Sequence, residues 1–408
     1  MLDPARIMER CDALARHSEL PGGLTRVFLS PEARAASDKV LGWMREAGMQ
    51  AQLDPIANAA GRYEGERPGL PCLMLGSHLD TVRDAGRYDG MLGVITAIEC
   101  IGLLNSKKKR LPFAIEVIGF GDEEGVRFGT TLLGSRAVAG TLDLQVLSAK
   151  DPQGSSMADA LREFGLDPAG IPKIARGKQD VLAYAELHIE QGPVLEAEGL
   201  PVGVVTAING FSRLRVTLRG AAGHAGTVPM NLRRDALAAA AECVLMVEKV
   251  GRSHPELVGT VGRIEAKPGA INVIPGEVFF TIDVRAPRDA LRDHAVAAIR
   301  SQIQQLAARR GVDCEIETLQ EFGSTTCASG LMEQMERAVE RQGFPVRRLP
   351  SGAGHDGMAL AAIAGICMLF VRCRGGISHS PLEAITEADA AAGARVLFDF
   401  IEHFRLPA

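Results

Sequence analysis

The pattern of apolar residues changes period part-way along this chain, and that change constrains the fold more than any other feature. Up to about residue 200, short apolar runs alternate with helical patterns: PCLMLGSH at 71–78 and FAIEVIGF at 113–120 read as buried strands, and 92–104 between them reads as a helix. Strand, crossover helix, strand is the signature of an α/β domain built on a parallel sheet. Near the start, Ser30, Pro31 and Glu32 supply an N-cap, a first-turn proline and an early acid for a helix whose Trp43 is expected in the core. From about Phe211 the texture differs. Leu214, Val216 and Leu218 alternate with Arg213, Arg215, Thr217 and Arg219, as in an antiparallel strand with one wet face.

A helix is expected next at 232–250, then strands at 257–265 and 277–285. A second helix follows, in which Leu291, Ala295, Ile299, Ile303 and Leu306 keep the spacing of a buried stripe, and GVDCEIETL at 311–319 closes the set as a strand. The order βαββαβ is the split pattern of ferredoxin-like domains. EFGSTTCASG at 321–330 reads as an exit linker, and the apolar run GICMLFV at 365–371 resumes the first texture. The expectation is a discontinuous α/β domain, residues 1–208 and 325–408, interrupted by an inserted domain at 209–324.

Composition excludes several functions. With 408 residues, of which 46% are hydrophobic, the chain has core enough to fold without disulfides or metal, so a metal found here serves function. A net charge of -5 and 4% aromatic residues supply neither the basic field nor the stacking rings that nucleic acid requires. No apolar run reaches the roughly 18 residues of a membrane span, and MLDPARIMERCDALARH is charged where a signal peptide is apolar, so a cytosolic protein is expected. The eight cysteines form no C-x-x-C pair and read as reduced, buried small hydrophobes. KKKR at 107–110 reads as a solvated turn.

His, Asp and Glu concentrate in short glycine-bracketed segments: GSHLDT at 76–81, GRYDG at 86–90, GDEEG at 121–125, ELHIEQGP at 186–193 and GGISHSP at 375–381. They are expected at strand ends, where α/β sheets build sites. His78 and Asp80 alone fit two readings: a hydrogen-bonded structural histidine, or a ligand whose tautomer a carboxylate fixes from behind. Asp122, Glu123 and Glu124 repel one another. On a surface, water compensates; in a cleft, a divalent cation does, with one glutamate on metal and its neighbour positioned as a general base. His188 and His379 could each be core histidines. Packing explains any one of these segments, but a shared metal centre explains them together.

Taken with GAAGHAGTVPM at 220–230 and SGAGHDG at 351–357, these segments resemble, in order, those of the di-metal amidohydrolases that include allantoate amidohydrolase and N-carbamoyl-L-amino-acid amidohydrolase. The resemblance extends to their relatives, the aminoacylases and carboxypeptidase-type peptidases, and implies a discontinuous aminopeptidase-like catalytic domain with an inserted dimerisation domain, or lid. It implies that His78, Asp89 and His188 hold one metal while Asp89, Glu124 and His379 hold the other, with Asp89 as the bridge. Glu123 is then the general base, passing a proton from water to the leaving nitrogen, and Asp80 orients His78. His224 is implied to reach the site of the other subunit and stabilise an oxyanion, with Asn272 and Arg285 on the substrate's polar groups and carboxylate. Without the resemblance, His224 reads as a turn cap and Arg285 as an exposed strand-end arginine.

Gln191 and the Gly352–Gly354 backbone, Gly354 included, are expected to line the pocket, and His355 to shape its loop. His188 stands where the wider peptidase group has an acid, as it does in the ureido hydrolases, which turns the expectation away from peptides. The implied protein is a homodimer with two divalent ions per subunit, manganese first and zinc or cobalt as alternatives. Its implied substrate is a small ureido acid, allantoate first and N-carbamoyl-L-amino acids second. A catalytically inactive ligand-binding relative is the remote alternative.

Overall fold

The computed structural model describes residues 2–406. They form two compact units: one reaches Thr206 and takes in Cys327–Leu349 and the chain from Ala353 onward, and the other is Ala207–Thr326 with Pro350–Gly352.

Four strands of the first unit, Cys72–His78, Ala114–Phe120, Val181–Ile189 and Ile366–Val371, run parallel. In space Ala114–Phe120 is followed by Cys72–His78, Val181–Ile189 and Ile366–Val371, with the antiparallel strand Ala59–Tyr63 beside the first and Val202–Ile208 beside the last. Every residue of Cys72–His78, Ala114–Phe120 and Ile366–Val371 is buried, which is why these segments show no polar alternation: a parallel sheet is covered on both faces. The helix Met91–Ser106 covers one face so closely that a Cβ on Gly93 would lie 2.1 Å from the Leu187 carbonyl oxygen. Ser30 caps the helix Pro31–Glu46 by accepting from the Ala33 amide. Trp43 is only half-buried, contrary to its expected core role, and packs beneath Arg10 and Lys39, which lie 4.7 and 5.4 Å from its ring centroid.

The second unit is a four-stranded antiparallel sheet, ordered in space Asp313–Phe322, Gly210–Arg219, Glu277–Ala286, Val258–Lys267. In chain order that is 4-1-3-2, with the helices Ala236–Gly251 and Asp289–Arg310 as crossovers. Leu214, Val216, Phe280 and Ile282 pack against Ala240, Cys243, Ile299 and Ile303 on the helices. The other face carries ion pairs such as Arg213–Asp283 and Arg219–Glu315, both at 3.0 Å. The first crossover helix begins later than its expected start at 232. Asp235 accepts from the Leu237 and Ala238 amides and sets the N-terminus there, leaving Met230–Leu232 as a single tight turn. The expected linker at 321–330 is also partly structured, since Thr325–Thr326 pairs with Ala207 and Ile208.

Candidate metal centre

Parallel strands deliver their C-terminal ends to one side of a sheet, and the chemistry of the first unit gathers there. His78 is the last residue of its strand, His188 the penultimate residue of its own, and Glu123 and Glu124 follow the strand Ala114–Phe120. Two segments are not at strand ends. Asp89 lies just before Gly90, the N-cap of Met91–Ser106, and His379 sits in the loop beyond Ile366–Val371, with φ of 55°.

Asp89 is the hub. Its Oδ1 lies 3.5 Å from His78 Nε2 and 3.2 Å from His188 Nε2, and its Oδ2 lies 3.2 Å from His379 Nε2. Glu124 Oε1 is 3.4 Å from His379 Nε2. His78, Asp89 and His188 thus offer converging ligand atoms, as do Asp89, Glu124 and His379, and His78 with Glu123 and Glu124.

Proton placement tells what this arrangement needs. His78 Nδ1 is 3.0 Å from the Asp80 carbonyl oxygen and His188 Nδ1 is 2.9 Å from that of Ile189. A carbonyl cannot donate, so both Nδ1 atoms carry hydrogen and the neutral rings turn unprotonated Nε2 atoms toward Asp89, that of His188 also accepting from the Gly90 amide at 3.2 Å. Asp89 Oδ1 is buried without a hydrogen-bond partner. Lone pairs facing a buried carboxylate oxygen demand positive charge between them, from protons or from a cation. Although burial opposes it, Asp89 works in that direction, raising the pKa values of His78 and His188. The same imidazoles, led by His188, hold Asp89 well below the usual carboxylate range against the opposing effect of burial. The donor set of imidazole nitrogens and carboxylate oxygens fits zinc, manganese or cobalt.

The acidic pair is differently perturbed. Burial pushes Glu123 well above its ordinary range, opposed by His78 and reinforced by Glu124, Asp356 and Asp80. Burial likewise lifts Glu124 to about 7, with His78 opposing and Asp89 adding. Such a glutamate can hold and release a proton near neutrality. Asp122, the third acid of the turn, is fully buried with φ of 60° and is in none of the converging groups.

Asp80 departs from its expected role. It is the carbonyl of Asp80 that fixes the His78 ring, while the nearer carboxylate oxygen stands 3.8 Å from Nδ1. The carboxylate accepts instead from the Glu123 and Glu124 amides at 3.0 and 3.1 Å, anchoring the acidic turn. Gln191, with φ of 55°, donates to Asp89 Oδ2 at 3.1 Å. A Cβ on Gly354 would lie 3.6 Å from Glu123 Oε1, so that glycine borders the acid.

His224, Asn272 and Arg285 belong to the second unit. His224 is exposed, pairs with Val273 across a short antiparallel ladder, and accepts from the Gly226 amide at Nδ1. The exposed Asn272 adjoins that ladder, its carbonyl accepting from Ala225. Arg285 is already engaged: its guanidinium grips Asp283 at 2.7 and 3.1 Å and donates to the Gly352 carbonyl at 2.8 Å.

Two further acids escaped the sequence reading. Glu186 is fully buried and accepts from Ser77 Oγ at 2.7 Å and the Tyr184 hydroxyl at 2.8 Å, beside His188 and His355. An acid two residues before His188 in a buried strand was its signal. Glu383 accepts from the Tyr88 and Asp89 amides at 2.8 and 3.2 Å and from Ser378 Oγ at 2.9 Å. It lies beyond the last quoted segment, and nothing in its neighbourhood marks it.

The family profile described as peptidase family M20/M25/M40 matches residues 74–403, and the chain belongs to that family. Members of it are metal-dependent hydrolases. Among curated relatives, the N-carbamoyl-L-amino acid amidohydrolase of Geobacillus stearothermophilus is 43% identical over 98% of both chains. Allantoate deiminase 1 of Glycine max is 41% identical, over 96% of this chain and 87% of its own. The solved structure of an amidase of the hydantoinase/carbamoylase family from Burkholderia multivorans superposes with a TM-score of 0.93 at 35% identity, covering 98% of this chain and 97% of that one.

Proposed function

We propose that this protein is a two-metal amidohydrolase that cleaves the ureido C–N bond of a small carboxylic acid, releasing ammonia and carbon dioxide. The observation that carries the reading is the buried, unpartnered Oδ1 of Asp89, 3.5 and 3.2 Å from the Nε2 atoms of His78 and His188, while Oδ2 faces His379. Asp89 would be shared by two divalent cations, one that His78 and His188 would also hold and one that Glu124 and His379 would also hold. Bound there, the cations supply Lewis acidity to water and to the substrate carbonyl.

Glu123 is the general base, taking a proton from the attacking water and delivering it to the leaving nitrogen. Burial raises its pKa above the ordinary glutamate range, the direction that helps a base return its proton as an acid in the second half of that task. The Asp80 carboxylate positions Glu123 through its amide, and its carbonyl orients His78. Gln191 and the Gly354 backbone border the substrate. His224 stabilises the oxyanion from the other subunit of a homodimer formed by the inserted domain, 209–324. Asn272 and Arg285 bind the substrate's polar groups and carboxylate, which requires Arg285 to share or exchange its Asp283 partner.

Allantoate is the first candidate substrate, supported by HLDTVRDAGRYDG and by the soybean relative. N-carbamoyl-L-amino acids are the second, supported by the end-to-end match to the Geobacillus relative. Manganese is the first candidate metal. The cytosolic location expected from the sequence is part of this reading; among the described residues no helix is long and apolar enough to cross a membrane. The test is turnover of allantoate, N-carbamoyl-L-amino acids and N-acetyl amino acids on one manganese-loaded preparation. Hydrolysis of a ureido acid with little of the acetyl series is expected; activity on N-acetyl amino acids alone, or none on any, overturns the reading.

A further inference from the structure

Ser378 stands between two carboxylates with one hydrogen to give. Its Oγ lies 3.1 Å from Asp89 Oδ2 and 2.9 Å from Glu383 Oε2. A hydroxyl donates to one acceptor at a time. Where it donates decides how much of Asp89 Oδ2 is left for a cation, because a carboxylate oxygen already holding hydrogen bonds is a poorer ligand. That oxygen also receives Gln191 Nε2 at 3.1 Å, so a second donor would load it further.

Glu383 is built to win this competition. It is 4% exposed, and its Oε1 is fixed by two backbone amides from the Asp89 loop, Tyr88 at 2.8 Å and Asp89 itself at 3.2 Å. Those amides fix the side chain and leave Oε2 facing the serine as a pure acceptor. Room for it is made by Gly86, where a Cβ would stand 2.2 Å from the Glu383 carboxyl carbon. The pair therefore joins two loops far apart in sequence, the one bearing Asp89 and the one bearing His379.

On the two-metal reading above, we infer that Glu383 is a positioning residue that draws the Ser378 hydrogen away from Asp89, keeping Oδ2 free for the cation shared with Glu124 and His379. The inference makes an unusual demand of a near-isosteric change. In Glu383→Gln the amide oxygen still accepts from Tyr88 and Asp89, but the amide nitrogen now donates to Ser378. The serine hydrogen must then turn to Asp89 Oδ2. Removing the serine hydroxyl in the same chain takes that hydrogen away again.

The experiment is titration of Mn²⁺ into metal-stripped full-length protein by calorimetry, with bound metal counted and the spin-coupled manganese-pair signal recorded by electron paramagnetic resonance. Circular dichroism checks each variant's fold. Wild type is expected to bind two ions with a coupled signal. Glu383→Gln should bind the first ion normally and the second at least tenfold more weakly, losing the coupled signal, and Glu383→Gln with Ser378→Ala should recover both. Gly86→Ala, which displaces the carboxylate without changing its chemistry, should also lose the second ion and supplies the test if Glu383→Gln does not fold. Two tightly bound ions in Glu383→Gln, or no recovery in the double variant, overturns the role of Glu383 while leaving the metal reading intact. A wild type that binds no pair of ions overturns both.

Discussion

At the scale of single residues, side-chain chemistry was legible in the sequence and backbone chemistry was not. Of the residues named from glycine-bracketed segments, His78, His188, Glu124 and His379 offer ligand atoms that converge with Asp89, because imidazoles and carboxylates declare themselves by type. Asp80 shows the limit. Its carbonyl, present in every residue, holds His78, while its carboxylate does a different task for the amides of the acidic turn. Glu383 was invisible because its partners are two backbone amides and a serine. Two predictions belong here. Glu123→Gln should lower kcat by about 10²–10⁴-fold, the usual contribution of a general base, with metal content unchanged by elemental analysis; near-normal turnover would remove the assignment. Metal binding should also depend on pH. Burial lifts Glu124 to about 7 and Asp89 raises the imidazoles of His78 and His188, so protons compete with a cation for these ligands. Apparent affinity for Mn²⁺ should therefore fall as pH drops from 8 through the region of about 7, with protons released on binding; a pH-independent calorimetric constant would contradict this.

At the scale of elements, the period of the apolar pattern carried the information. Short, mostly apolar runs became parallel strands buried on both faces, and the alternating run 213–219 became a strand with one charged face. Boundaries were harder, since the helix expected from 232 starts at Ala236 on the Asp235 cap. Close approach was not legible either: Gly93, which the sequence does not single out, lets Met91–Ser106 lie against the strand bearing His188. Gly93→Ala should cost about 1–3 kcal/mol in urea denaturation, because the added methyl meets a backbone carbonyl that cannot yield without moving the strand. Unchanged stability would show that helix and strand do not depend on that contact.

At the scale of the whole molecule, the change of period announced a second compact unit, and its 4-1-3-2 sheet follows the βαββαβ order of the segments. The membership of Pro350–Gly352 in that unit was not legible. It depends on backbone contacts, the Asn209 amide on the Ser351 carbonyl at 2.9 Å and Arg285 on that of Gly352 at 2.8 Å. If a homodimer shares its sites between chains, mixing a His224→Ala protein with a Glu123→Gln protein should restore measurable activity that neither has alone; mixtures as inactive as their parents would confine each site to one chain. The account rests on Asp89 bridging a pair of cations. Anomalous scattering from crystals of the manganese-loaded protein tests this most directly: two peaks are predicted, one on each side of the Asp89 carboxylate, and both absent in Asp89→Ala. No peak beside Asp89, or two that survive its removal, would contradict the account.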